Sequence, residues 1–547
     1  MDFEIPEPLV SALLEMVDAD SLLAKRMAEH GVCHGRMIVS SKLFDSHSLN
    51  ALYNLSKTQN ERALMFQMLA LDNIRNAPQA RTIPSLEDLV PGLCAYFMRD
   101  MIDGWLYKRN KDGVMLPWLI QRMRHVQPDQ GAPYVVIELL ANTMQSANHE
   151  SPEYQLRRSG MTNAIVISRH DIVNRTIPEL LAEAGYFKEC KEFKQDYETH
   201  AKRFLKVQSA FGKQFIASKA VFILDEKSRT ELIRINDGVT ARCINDEESL
   251  DRRFEMSIDN DFWRDAGATE GFENIPLHCY VYLFHLEWHR NIWVHVQHLT
   301  DYQYKPELRE KLILPPSHRD LIDILTSDMN VMMQDIIEGK SGGTTILCKG
   351  APGLGKTLTA EVYSEVVGKP LYRVHSGQLG TTASSVEQTL SAILHRATRW
   401  DAILLLDEAD VYIRCRDNDL EHNAIVAEFL RTLEYFNGLL FMTTNRINDV
   451  DDAILSRCIA TIKYEVPPKE DAIKLWHSLA TQFHADLSDD VINDLTNVFA
   501  DASGRDIKEL LKLTSKYCKG KGLPLSVDAF KLCAKFRGLA GSEVGAA

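Results

Sequence analysis

Gly350-Ala351-Pro352-Gly353-Leu354-Gly355-Lys356-Thr357-Leu358 is the stretch on which the reading of this chain turns. It follows the apolar run TTILCK (344–349), which predicts a strand, and it opens a segment of helical spacing over 356–367. Glycines at this density let backbone N–H groups curl around phosphate oxygens, and a helix N-terminus adds the positive end of its dipole. In that setting Lys356 reaches the β- and γ-phosphates, and the Thr357 hydroxyl can ligate Mg²⁺. The residues from Gly350 to Leu358 are thus expected to bind a nucleotide's phosphates.

Working outward, short apolar strands alternate with helices. Strands are expected at LYRVH (371–375), AILLL (402–406), LLFMT (439–443) and IATIKYEV (459–466), with helices at about 384–400 and 420–436. Ser384 and Glu387 have capping-box spacing for the first of these helices. The unbroken run from Ile403 to Leu406 suits a central parallel strand buried on both faces, and the alternation implies ligand chemistry at the strand C-termini. AILLL ends in Asp407-Glu408. Asp407 is placed to hold the Mg²⁺ shell, and Glu408 to polarise an attacking water. DEAD (407–410) is also a helicase tetrad, but the residues downstream fit another family. After Pro467 and Pro468 the chain turns helical to its end, as a small separate domain.

Those residues are Thr443-Thr444-Asn445-Arg446, Ala453-Ile-Leu-Ser-Arg457-Cys and Ala502-Ser-Gly504-Arg505-Asp506-Ile507. Over residues 344–540 the assembly resembles the AAA+ ATPases, with at least five motifs in family order. The resemblance implies ATP and Mg²⁺ as cofactors and a homo-oligomeric ring, a hexamer. It makes Asn445 the polar residue that orients the lytic water, Arg457 the finger that completes a neighbouring subunit's site, and Arg505 a lid residue reaching the γ-phosphate. There are departures. Many remodelling members carry a small residue where Arg505 stands and two arginines in the finger region, and Ser456-Arg457-Cys458 is closer to clamp-loader subunits. Unfoldases present a pore aromatic after the second strand, whereas His375–Thr382 offers only Leu379 as a bulky apolar grip, with Arg414 and Arg416 as further pore candidates.

The rest of the chain reads less sharply. Residues 1–147 are expected to form a helical domain, from spacings such as Leu9, Leu13, Leu14, Val17 and Leu64, Met65, Met68, Leu69. Asn148–Gly160 is expected to be a linker. Residues 161–320 are expected to form a mixed α/β or β-rich domain, with a helix over about 186–211 and strands in VFILDE (221–226) and in 277–299. Between them, Asn245–Asn274 holds ten acidic residues against three arginines and is expected to be exposed loop. The ATPase module would divide into a large α/β part, 321–466, and a helical lid, 467–547. His285, His289, His295 and His298 are expected to be structural: HLEWH lacks the HExxH order of metal ligands, and a strand with Trp293, His295 and Gln297 on a half-exposed face needs no metal.

The 547 residues carry a formal net charge of −14, with 45% hydrophobic and 25% charged residues, a balance that excludes disorder, fibre and a generally basic coat. Ten cysteines without a CxxC pair exclude a disulfide framework and zinc knuckles. Neither a secretory signal nor a membrane-length apolar run is evident, so a cytoplasmic location without membrane partners is expected. The leading function is an ATP-driven remodeller whose first ~320 residues recruit a protein partner. The alternatives are a nucleotide-gated oligomeric switch or scaffold, as in defence or signalling, and a clamp-loader-like ATPase acting on DNA. The negative charge makes nucleic acid the less favoured partner.

Overall fold

A computed structural model of the chain describes residues 2–29, 35–40, 43–59, 61, 64, 65, 68, 82–110, 112–143, 159–218, 220–224, 230–234, 241–249, 262, 263, 272–327, 343–416 and 419–539. Leu69, positions 148–158 of the expected linker, Asp225, Glu226 and most of the acidic stretch lie outside them. The chain divides into two compact units: Met1–Phe211 with Phe215–Thr300, and Asp301–Ala547 with Gly212–Gln214.

The first unit begins with β1 (Asp2–Pro6), paired antiparallel to β2 (Arg36–Ser40). Helices α1 (Glu7–Met16), α2 (Leu22–Glu29) and α3 (Ser46–Thr58) accompany this pair, and Leu9, Leu13 and Leu52 bury with Phe3 and Ile5 in one core. The helical spacing holds here. It fails further on. After α4 (Leu89–Met98) come β3 (Trp105–Arg109), β4 (Met115–Val126) and β5 (Tyr134–Thr143), which join β6 (Ser159–Ser168) and β7 (Tyr186–Lys188) in a sheet of order β6-β5-β4-β3-β7.

Residues 1–147 are therefore not a helical domain, and the expected boundary at 148–160 falls inside one sheet, because β5 pairs with β6 along its whole length. The reason is burial on both faces. Trp105, Tyr107 and Leu119 pack to one side while Leu106, Trp118 and Ile120 pack to the other, so the strands carry no apolar–polar alternation.

Helix α5 (Lys191–Gln208), with Phe193 and Phe204 buried, fills most of the helix expected over 186–211, but the first residues of that stretch, Tyr186–Lys188, form β7 instead. Beyond it lies a seven-stranded sheet of β8 (Gln214–Ala217), β9 (Ala220–Leu224), β10 (Thr230–Arg234), β11 (Ala241–Asn245), β12 (Tyr280–His285), β13 (Arg290–His295) and β14 (Leu299–Asp301). Asp246 and Glu247 are buried rather than exposed, and Glu247 accepts the Tyr282 backbone N–H at 2.7 Å. His285 stacks on Trp288, and His295 meets His200 and Tyr280 edge to face, as packed side chains of this sheet.

The second unit contains α6 (Pro316–Ser327) and a parallel sheet of β15 (Thr344–Gly350), β16 (Leu371–His375), β17 (Ile403–Asp407), β18 (Leu439–Thr444) and β19 (Ala460–Tyr464), ordered β16-β17-β18-β15-β19. Helices α7 (Lys356–Val367), α8 (Ala383–Arg399), α9 (Asp410–Ile413), α10 (Leu420–Leu433) and α11 (Asp452–Leu455) lie between the strands in sequence. Every residue of β17 is buried, as expected of a central strand. The cap of α8 differs from expectation. Thr382, not Ser384, accepts the Ser385 backbone N–H, so the helix starts earlier and Glu387 pairs with Arg431 instead.

After the sheet come α12 (Lys469–Gln482), α13 (Asp489–Val498), α14 (Gly504–Lys521) and α15 (Val527–Lys535). Their core gathers Trp476, Leu495, Leu510 and Phe530, each fully buried.

Candidate active site

The strand order carries β15, β17 and β18 side by side in one direction, so Gly350, Asp407 and Thr444 emerge at one edge. Gly350 is required there by proximity: a Cβ would sit 2.4 Å from the Tyr464 carbonyl oxygen. Gly353 and Gly355 take φ of 84° and 95°, the left-handed region that other residues enter only with strain. The chain then enters α7 at Lys356. Leu358 lies exposed in the first turn.

Lys356 is buried, and its ammonium donates to Gly350 O at 2.7 Å, Ala351 O at 2.7 Å and Asn445 Oδ1 at 3.0 Å. Burial pushes its pKa below the ordinary lysine value, against the pull of Asp410 and Asp407. The Thr357 hydroxyl donates to Asp407 Oδ1 at 2.8 Å, and the Thr443 hydroxyl donates to the same oxygen at 2.6 Å. Burial raises the Asp407 pKa, but those hydroxyls and the Arg373 guanidinium outweigh it and hold the carboxyl below its usual range.

Thr443 also accepts the Glu408 backbone N–H at 3.0 Å. Glu408 stands at φ 56°, a left-handed turn that leaves it exposed beside its buried neighbour. A non-glycine residue in that conformation is a strained position held by its surroundings. Asp410 accepts the Asn445 N–H at 3.0 Å and the Thr444 hydroxyl, which fixes the turn that presents Asn445.

Two features were not read from the sequence. Arg373 donates to the second carboxylate oxygen of Asp407, with Nη2 at 2.6 Å from Oδ2. Its available signal was a charged residue midway along an apolar strand. Thr443 was quoted only as part of a motif, yet it organises both acids. The C-terminal helices also touch the loop: the Arg505 N–H donates to Gly353 O at 3.2 Å, and Ser503 caps α14 beside it.

The donors fit the groups expected of them. A buried ammonium among oxygen acceptors, at a helix N-terminus cradled by glycines, suits a phosphate chain. Thr357 and Asp407 offer the oxygen ligands that Mg²⁺ prefers.

Residues 346–466 match the family model described as "ATPase family associated with various cellular activities (AAA)". Residues 346–466 are an AAA ATPase domain. Among curated relatives, the "Uncharacterized AAA family ATPase y4kL" of Sinorhizobium fredii is 33% identical over 22% of this chain and 38% of its own length. The "ATPase family AAA domain-containing protein FIGL1" of Arabidopsis thaliana is 27% identical over 33% of this chain and 28% of its own. Spastin of Danio rerio is 25% identical over 30% of this chain and 31% of its own. The chain thus spans about a third of the length of these relatives. A solved chain of the E. coli MS115-1 HORMA:CdnC:Trip13 complex aligns with TM-score 0.36 and 18% identity, over 42% of this chain and 91% of that one, a likeness too low to carry an argument.

Within the AAA+ module, Arg457 does not join the Lys356–Asp407 network. Its guanidinium donates to Ala453 O at 3.1 Å and pairs with Glu434. Arg505 does lie at the phosphate loop, near enough to Lys356 to lower its pKa.

The expected gripping loop needs correction. Leu379 is 1% exposed, not presented to solvent, and the Tyr412 hydroxyl donates to Ser376 O at 3.0 Å and Gly380 O at 2.7 Å across the loop. An apolar side chain beside a tethered turn gains more by burial than by exposure, which spacing alone could not show. Arg416 is engaged with Asp451 at 2.9 Å. Among the described residues, no helix is long and apolar enough to cross a membrane, and no group of three or more His, Cys, Asp or Glu residues is placed to hold a metal ion.

Proposed function

We propose that this chain is an ATP hydrolase that assembles as a homo-oligomeric ring, a hexamer, and couples ATP turnover to remodelling of a protein partner recruited by its first ~320 residues. The observation that carries the reading is the single network at the sheet edge, which joins Lys356 to Asn445 and Thr357 to Asp407 with Glu408 exposed beside it. In this reading Lys356 exchanges its loop carbonyls for phosphate oxygens and offsets their charge. Thr357 and Asp407 hold Mg²⁺, which when bound supplies Lewis-acid stabilisation of the phosphate oxygens. Glu408 accepts the proton of the attacking water, and Asn445 orients that water. Arg505 reaches in from the helical lid, 467–547, and Arg457 serves a neighbouring subunit's site. The test is Glu408→Gln, expected to abolish turnover while ATP still binds, against Lys356→Ala, expected to weaken binding itself. Equal loss of binding in both would refute the assignment.

The buried Leu379 supports a second reading, a nucleotide-gated assembly switch without processive threading of polypeptide. Light scattering with and without ATP, beside turnover with and without candidate partners, separates the two. A switch assembles on ATP binding, and its turnover ignores protein substrates. The net charge of −14 continues to disfavour DNA as the partner.

A further inference from the structure

The site just described contains a cation that the proposed chemistry does not use. Arg373 is central in β16, and strand pairing sets it opposite Leu405, two residues before Asp407. From there Nη2 meets Asp407 Oδ2 at 2.6 Å, while Nη1 lies 3.5 Å from Glu361 Oε1 on α7, one helical turn beyond Thr357. Both oxygens of Asp407 are thereby engaged: Oδ1 takes two hydroxyl donors and Oδ2 takes the guanidinium. The carboxylate side chain is 6% exposed, so it has little room to rotate toward a new partner.

A divalent cation held by Thr357 and Asp407, directly or through its water shell, needs an acceptor oxygen free of competing positive charge. Of the two oxygens of Asp407, the one not shared by two hydroxyls is the one Arg373 occupies. Two like charges that share one buried carboxylate repel each other. Arg373 itself is 41% exposed and has Glu361 to fall back on, so it can swing away without being stranded.

We propose that Arg373 is a positioning residue that competes with Mg²⁺ for Asp407, making metal loading a separately controlled step of nucleotide binding. The inference rests on the ATPase reading above. Arg373 holds Asp407 in place before metal arrives and yields to Glu361 as metal enters.

The test titrates Mg²⁺ against full-length protein with a fluorescent ADP analogue and follows the tightening of nucleotide binding, a readout independent of turnover. Arg373→Gln should lower the half-saturating Mg²⁺ concentration by about tenfold or more, from the loss of one like charge at the site. Arg373→Lys keeps the charge but not the two-armed bridge, so it should fall between wild type and Arg373→Gln. Glu361→Gln removes the alternative partner and should move the midpoint upward, by roughly twofold for an exposed pair. These opposite signs separate competition from a merely structural role, which would shift all variants one way. An unchanged or raised midpoint in Arg373→Gln overturns the inference and leaves the ATPase reading standing. Wild-type protein that binds no nucleotide at any Mg²⁺ concentration overturns both.

Discussion

Replacing Gly353 by alanine should uncouple the lid from the phosphate loop, and the structure sets the size of the effect. At φ 84° an alanine is in left-handed backbone, which costs about 1–2 kcal/mol. Its Cβ would also lie 2.6 Å from Ser503 Oγ and 2.9 Å from the Arg505 Cβ. Ser503 cannot retreat freely, because it caps α14 through the Asp506 N–H at 3.2 Å, and losing such a cap costs roughly 1 kcal/mol. Separation would also break the 3.2 Å hydrogen bond from the Arg505 N–H to Gly353 O, worth about 1 kcal/mol. Gly355 is the internal control. At φ 95° it bears the same backbone strain, but nothing lies within 4 Å of the position an alanine methyl would take. Gly355→Ala should therefore weaken nucleotide binding by about tenfold, and Gly353→Ala by several hundredfold, since each 1.4 kcal/mol is about a factor of ten. Fluorescent nucleotide titration of the full-length variants measures both. Equal losses would refute the contact between lid and loop, because strain alone would then account for Gly353.

Mixing Arg457→Ala with Lys356→Ala subunits should restore part of the ATPase activity that each lacks alone, since the first lends an intact Lys356 site and the second an intact arginine. No recovery at any ratio, with subunit exchange verified, would count against a shared site. Leu379→Ala should act through folding, destabilising the ATPase unit by about 2–5 kcal/mol in urea unfolding as a buried large-to-small change. A variant as stable as wild type but defective only in partner-coupled work would restore Leu379 as a grip. His278 is buried between the Thr143 hydroxyl and Pro117 O, and burial lowers its pKa from 6.5 to about 4. The unfolded chain then takes up the proton first, so stability held above pH 6.5 is lost as pH falls toward 4, by about 3 kcal/mol from this residue. Urea midpoints across that window should fall less steeply in His278→Gln; an identical slope would remove His278 from the account.

The phosphate loop, the five strands around it and their helices were legible in the sequence because each rests on contiguous residues. Gly353 and Gly355 answer a local backbone need, and the run into Asp407 is a strand buried on both faces, whose hydrophobicity needs no knowledge of its neighbours. The same logic failed at β3 to β5. There two-sided burial also removes alternation, but no motif flanked the strands to say they were strands. Tertiary structure alone decided the rest. Arg373 reaches Asp407 across 34 positions in sequence, and Tyr412 ties down the turn at Gly380 across 32. In both cases a side chain's role depends on which strand lies beside it, and strand order is a property of the folded sheet. Local composition therefore singled out the loop, while the packing of β16 against β17 determined which cation Asp407 meets.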